Sequence, residues 1–250
     1  MRLFLFLSRL AQKVNRHLFF GLPVLYGSRA QLCDFFGKHG EGKVFVGLHV
    51  GSFPGIYKGS FPRPEGIKNV FFYPDGISTL LVLRRNRCKG VERLPTTDVG
   101  WNLLEYKRPL QPTLGIVGAE EMVNQKAKSI FLNKGFDVLW NFNGFSELEE
   151  SLDQELPSPD CIVVGLGMPL EMEHGLKLLE LHPNSRILTC GGWLNFIAGI
   201  EKRSPKWMQK VGLEWLWRFS MNPKRLFQRY FMGALYTTKM IIKRQSGDNL

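Results

Sequence analysis

Residues 113–142, TLGIVGAEEMVNQKAKSIFLNKGFDVLWNF, and residues 161–192, CIVVGLGMPLEMEHGLKLLELHPNSRILTCGG, decide the fold. In them short runs rich in Val, Ile and Leu, each bounded by glycine, alternate with longer segments of helical periodicity. TLGIVG, DVLWNF, CIVVG and RILTC read as strands, with helices over 119–133, 147–154 and 170–181. Single helices between strands make right-handed βαβ units, hence a parallel sheet covered on both faces. Working back toward the amino terminus, KVFVGLH (43–49) and NVFFY (69–73) add two strands, with helices through residue 83 and over 97–106. Residues 51–66 are crowded with glycine and proline and read as loop with at most a helical turn. The expected class is α/β, a Rossmann-like parallel sheet.

The ends of the chain differ from this middle. Residues 201–250 hold eleven Lys/Arg against three acids, residues 1–40 six against one, and the chain as a whole is +11, so residues 41–200 carry a net −2. The stretch WMQKVGLEWLWRFSMNPKRLFQRYFMGALY (207–236) interleaves aromatic and basic residues, which suits nucleic acid, an anionic membrane surface or a phosphorylated substrate. The opening MRLFLFLSRLAQKVNRHLFF is apolar but interrupted at Arg2, Arg9, Lys13 and Arg16. It is too broken to span a bilayer, and a basic amphipathic helix is expected there. Three regions follow: residues 1–40, a core over 41–200, and a helical appendage over 201–250. Cys33, Cys88, Cys161 and Cys190 are far apart and read as buried free thiols.

In a parallel sheet the ligand sits beyond the carboxyl ends of the strands. Here those ends are His49, Asp75, Gly118, Gly144, Gly167 and Gly191. Asp75, followed by Gly76 in YPDG, fits a general base, and the same residues also fit a plain turn. The glycine turns Gly165-Leu166-Gly167-Met168-Pro169 and Gly191-Gly192 offer backbone amides to an anion or allow close helix packing. Neither has the spacing of a dinucleotide fingerprint or a P-loop. Glu171 and Glu173 suit the start of a helix, while His174 and His182 lack partners at ligand spacing. With no DxD pair, metal-independent chemistry and no cofactor are expected.

The segments PDG (74–76), ERLPTTD (92–98), SPDCIVVGLGMP (158–169), CGGWLNFIAG (190–199) and RSPKWMQKVGLEWLWRFSMNPKRLFQRY (203–230), in this order, resemble the bacterial glycosyltransferases of the WecG/TagA/CpsF family over about residues 42–235. The last segment is the most specific, close to R-A-P-x-W, G-L-E-W-L-Y-R-L and P-x-R. The resemblance implies a Rossmann-like sheet with a helical, membrane-associating carboxyl-terminal appendage. It also implies inverting, metal-independent transfer of a sugar from a nucleotide-sugar, a UDP-sugar, to a polyprenyl-diphosphate-linked saccharide at the inner face of the cytoplasmic membrane, in surface polysaccharide biosynthesis. By the same resemblance Asp75 is the base, Arg93 joins it, and Arg218, Arg225 and Arg229 are the appendage arginines. Gly47, His49, Gly76, Asp98, Gly167, Pro169, Glu171, Gly191, Gly192 and Asn195 line the substrate and nucleotide site. The chain departs from the family where V-T-x-N reads Val46-Gly47-Leu48-His49, where P-K-Q-E reads Pro169-Leu170-Glu171-Met172, and where the aspartate of G-G-x-F-D is Asn195. The alternative is a non-catalytic, lipid-binding scaffold of a polysaccharide assembly complex. Nucleic-acid binding ranks last, since no reader motif accompanies the basic tail. Donor sugar, acceptor and oligomeric state stay open.

Overall fold

The structure, a computed structural model, describes residues 14–59, 69–105, 111–144 and 155–245, except the side chains of residues 225 and 243–245. Its strands are β1 (Asn15–Phe19), β2 (Leu22–Tyr26), β3 (Lys43–Leu48), β4 (Val70–Pro74), β5 (Thr113–Gly118), β6 (Asp137–Phe142), β7 (Cys161–Gly165) and β8 (Arg186–Thr189). They form one sheet in the order β1-β2-β4-β3-β8-β7-β5-β6. Only the β1–β2 pair is antiparallel. The helices are α1 (Arg29–His39), α2 (Phe53–Lys58), α3 (Ile77–Arg85), α4 (Thr96–Glu105), α5 (Glu121–Asn133), α6 (Leu170–Leu181), α7 (Trp193–Ile197), α8 (Lys206–Val211), α9 (Glu214–Met221) and α10 (Pro223–Gln245).

Burial on both faces explains why the strands read as unbroken apolar runs. Val44, Val46, Leu48 and Phe72 enter one core layer with Met172 and Leu178 of α6. Their neighbours Phe45, Phe71 and Tyr73 enter the other, with Phe131 of α5 and Trp193 of α7. The period of two along each strand splits the side chains between the layers.

The amino-terminal reading needs correction. Residues 1–13 lie outside the described residues, but residues 15–19, expected in the amphipathic helix, are a strand paired to β2. Phe20 and Gly21, at φ of 49° and 78°, form the two-residue turn whose twist matches an antiparallel pair. The following α1 starts with a capping box, Ser28 and Gln31 bonding to each other's backbone amides. The helix expected over 147–154 also lies outside the described residues.

The appendage returns over the carboxyl edge of the sheet. Helix α10 packs on α2 and on the 3-10 turn at Val50–Ser52; Met240 is buried, and Tyr236 lies 5.1 Å from Tyr57 between ring centroids. Helix α9 has no buried residue and leans on α10 through Trp215 and Phe219 against Tyr230.

Candidate active site at the carboxyl edge of the sheet

Asp75 follows directly on β4, and the first residue of α4 meets it. The Thr96 amide donates to Asp75 Oδ1 at 2.5 Å and the Thr96 hydroxyl donates to the same oxygen at 3.0 Å. Oδ2 accepts no hydrogen bond among the described residues. Burial raises the Asp75 pKa above its ordinary 3.8, while the Thr96 bonds and the positive charges of Arg218 and Arg93 pull it back. The result is a partly buried carboxylate with one oxygen fixed and one open, which suits a general base. Gly76 donates its amide to Leu48 O, tying the end of β4 to β3.

His49 ends β3. The Gly51 amide donates to its Nδ1 at 3.0 Å, and Arg229 Nη2 from α10 stands 2.9 Å from its Nε2. Burial, then Arg229 and Arg218, hold the His49 pKa well below 6.5, so the ring is neutral. A neutral imidazole has a single acceptor nitrogen. With Nδ1 accepting from Gly51, the ring hydrogen sits on Nε2, so the Arg229 guanidinium faces an N–H there rather than a lone pair. Arg218 of α9 lies over Gly192, with its guanidinium carbon 5.1 Å from the Phe196 ring centroid and Nη2 3.6 Å from Glu201. Asn195 donates to the same Glu201 at 3.4 Å, on its other oxygen. The side chain of Arg225 lies outside the described residues.

The two glycine turns hold an anion of the protein's own. Glu171, on the first turn of α6 just after Pro169, is 2% exposed, and its Oε2 accepts from the amides of Gly191 at 2.8 Å and Gly167 at 3.2 Å. The amides expected to face a phosphate thus face a carboxylate. Burial pushes the Glu171 pKa up to about 7; the Gly191 amide, Arg229 and the Gly167 amide oppose the rise, and Asp75 adds to it.

Arg93 and Asp98 belong to a different arrangement. Arg93 donates to Gln209 O at 3.0 Å and to Glu214 Oε2 at 2.7 Å, and Arg203 bridges Asp98 at 2.5 Å and Glu214 Oε1 at 3.1 Å. These four side chains lock α8 and α9 of the appendage to α4 of the core. Their bonds run between core and appendage, and Arg93 is also close enough to bear on Asp75. Thr96, Arg203 and Glu214 are absent from the sequence-based site. Gly47, at the end of β3, backs the Asp75–Thr96 contact.

Among the described residues no three His, Cys, Asp or Glu side chains converge as metal ligands, and no helix is long and apolar enough to cross a membrane. A hollow lined by Gln111, Leu132, Gly135, Phe136 and Asp137 lies at the opposite, amino-terminal edge of the sheet, away from all these groups.

A mostly parallel α/β sheet with a carboxylate at its carboxyl edge, and guanidinium groups brought there by helices of the carboxyl-terminal appendage, defines a Rossmann-like protein. The family model described as Glycosyl transferase WecG/TagA/CpsF matches residues 68–248, and the chain belongs to that family. It is also similar to the N-acetylglucosaminyldiphosphoundecaprenol N-acetyl-beta-D-mannosaminyltransferase of Bacillus subtilis (strain 168), at 24% identity over 159 residues, 62% of each chain.

Proposed function

We propose that the protein transfers a sugar from a nucleotide-sugar, a UDP-sugar, to a saccharide carried on a polyprenyl diphosphate, working from the inner face of the cytoplasmic membrane. The observation that carries this reading is the meeting, at one sheet edge, of Asp75 with a free carboxylate oxygen and two arginines supplied by the appendage. Family membership and the relative, whose name specifies a lipid-diphosphate acceptor, support it.

In the proposed step an acceptor hydroxyl attacks the anomeric carbon of the donor. A new C–O bond forms on the face opposite the leaving group, inverting the centre. The hydroxyl proton passes to Asp75 Oδ2. The bond from the anomeric carbon to the diphosphate oxygen breaks, and its electron pair leaves with the nucleoside diphosphate. A hydroxyl is a weak nucleophile at neutral pH, and a positioned base contributes ~10²–10⁴-fold. Arg218 and Arg229 stabilise the charge that grows on the diphosphate, the role that fixed guanidinium donors fill in a site with little water.

The same appendage suits a membrane surface. Trp207, Trp215, Leu216, Phe227 and Phe231 are exposed, the last two with stacked rings 5.8 Å apart between centroids, and Lys202, Lys206, Lys210 and Lys224 are exposed around them. Aromatic and apolar side chains rimmed by lysine fit the headgroup region of an anionic bilayer. Seating the appendage there would bring Arg218 and Arg229 to the lipid-linked acceptor. Transfer of labelled sugar from a UDP-sugar panel to lipid extract, by the wild-type chain and by Asp75→Asn, is the test.

A further inference from the structure

We propose that Thr96 is the positioning residue of this site: its hydroxyl, held by Tyr73 and given room by Gly47, pins Asp75 Oδ1 so that Oδ2 is the oxygen that takes the proton. The inference rests on the reading of Asp75 as the base and adds which of its oxygens reacts and what decides it.

Three contacts carry it. The Tyr73 hydroxyl lies 2.6 Å from Thr96 Oγ1, in the buried interior beneath Asp75. Thr96 Oγ1 in turn lies 3.0 Å from Asp75 Oδ1, which also receives the Thr96 amide. An ionised carboxylate only accepts, so the Thr96 hydroxyl must donate to it, and its remaining lone pairs must accept from Tyr73. The proton order Tyr73 to Thr96 to Asp75 is thereby fixed, and both donors fall on one carboxylate oxygen. Tyr73 stays protonated for this role, because burial and the neighbouring Asp75 charge hold its pKa well above 10.

Gly47 supplies the space. A Cβ there would come within 3.0 Å of Asp75 Cβ and 3.2 Å of both Thr96 Oγ1 and the Tyr73 hydroxyl, closer than those atoms accept without moving. Gly47 is also where the chain departs from V-T-x-N. The volume a threonine side chain would fill is taken up by the hydroxyls of Tyr73 and Thr96. Arg93, Arg218, Arg229 and Glu171 are the charged groups that bear on Asp75, each from its own segment, and His49 stands beside Gly76. None of these bonds to Oδ1; among the described residues Thr96 alone donates to it.

The test compares Thr96→Val, Thr96→Ser and the double variant Tyr73→Phe/Thr96→Val with the wild-type chain. The double variant removes both hydroxyls, so no buried phenol loses its partner. Two quantities are read: titration of the Asp75 carboxyl by its carbon chemical shift, which needs no turnover, and the pH profile of kcat/KM. A donated bond favours the charged carboxylate, so its loss moves the Asp75 titration and the acidic limb of the profile to higher pH. Turnover near pH 7 falls on the order of tenfold, the size expected for one hydrogen bond to a charged group. Thr96→Ser stays within about threefold of wild type, the residue of difference left when the donor is kept. Unchanged titration together with near-normal turnover in both Val variants, while Asp75→Asn is inactive, overturns the proposal. Normal turnover by Asp75→Asn would instead remove the base assignment, and the titration would still decide whether Thr96 controls that carboxyl.

Discussion

Replacing Glu171 by Gln should make the fold more stable at neutral and alkaline pH, against the usual expectation for a buried, hydrogen-bonded side chain. The Glu171 carboxyl is 2% exposed and its pKa is pushed from 4.5 up to about 7, chiefly by burial. Its proton is therefore held more tightly in the folded chain than in the unfolded one. The stability this proton contributes is complete below pH 4.5, declines as pH rises and is gone once pH passes about 7. At about 1.4 kcal/mol per pH decade, the charged form costs the fold about 3 kcal/mol. A glutamine carbonyl can accept from the same Gly167 and Gly191 amides without carrying charge. Thermal unfolding of both proteins from pH 4 to 9 is the assay. At roughly 2–4 °C per kcal/mol for a chain of this length, Glu171→Gln should melt about 10 °C higher than wild type above pH 8, and the gap should close toward pH 4.5. Parallel curves, or a variant less stable throughout, would refute the assignment of Glu171 as a strained internal anion.

Glu214→Gln removes the carboxylate shared by Arg93 and Arg203, whose pairs are partly buried; a loss of about 1–3 kcal/mol is expected, between the surface and buried cases. Limited proteolysis should then cut between residues 203 and 214 sooner than in the wild-type chain, and an unchanged digestion pattern would speak against docking through this network. Substituting Ser for both Phe227 and Phe231, each 59% exposed, should weaken co-sedimentation with anionic vesicles by on the order of a hundredfold or more, since each ring contributes about 1.5–3 kcal/mol when it leaves water. Melting temperature should hardly move, and undiminished vesicle binding would transfer attachment to another part of the chain.

The sheet was legible because buried parallel strands leave a strong trace. Short β-branched runs closed by glycine mark β3, β5, β7 and β8, and the sequence placed His49 and Asp75 beyond the carboxyl ends of their strands, where the structure has them, without reference to any relative. The amino-terminal hairpin was not legible. Its basic interruptions mimic an amphipathic helix, and Phe20-Gly21 is not among the dipeptides that announce a tight turn. Thr96, Arg203 and Glu214 left no local signal, because their partners stand far away in the chain: 21 residues separate Thr96 from Asp75, 105 separate Arg203 from Asp98 and 121 separate Glu214 from Arg93. Glu171 shows the limit of a motif. Its position at a helix start suggested a cap, and only the fold brings the Gly167 and Gly191 turns of two neighbouring strands together on one carboxylate oxygen.

In the proposed step Asp75 removes the proton from the acceptor hydroxyl. Single-turnover transfer from a UDP-sugar to the lipid-linked acceptor, measured for the wild-type chain and for Asp75→Asn at matched nucleotide binding and melting temperature, tests it most directly. The expected drop in Asp75→Asn is ~10²–10⁴-fold, the contribution of a positioned base. A rate within threefold of wild type would contradict it.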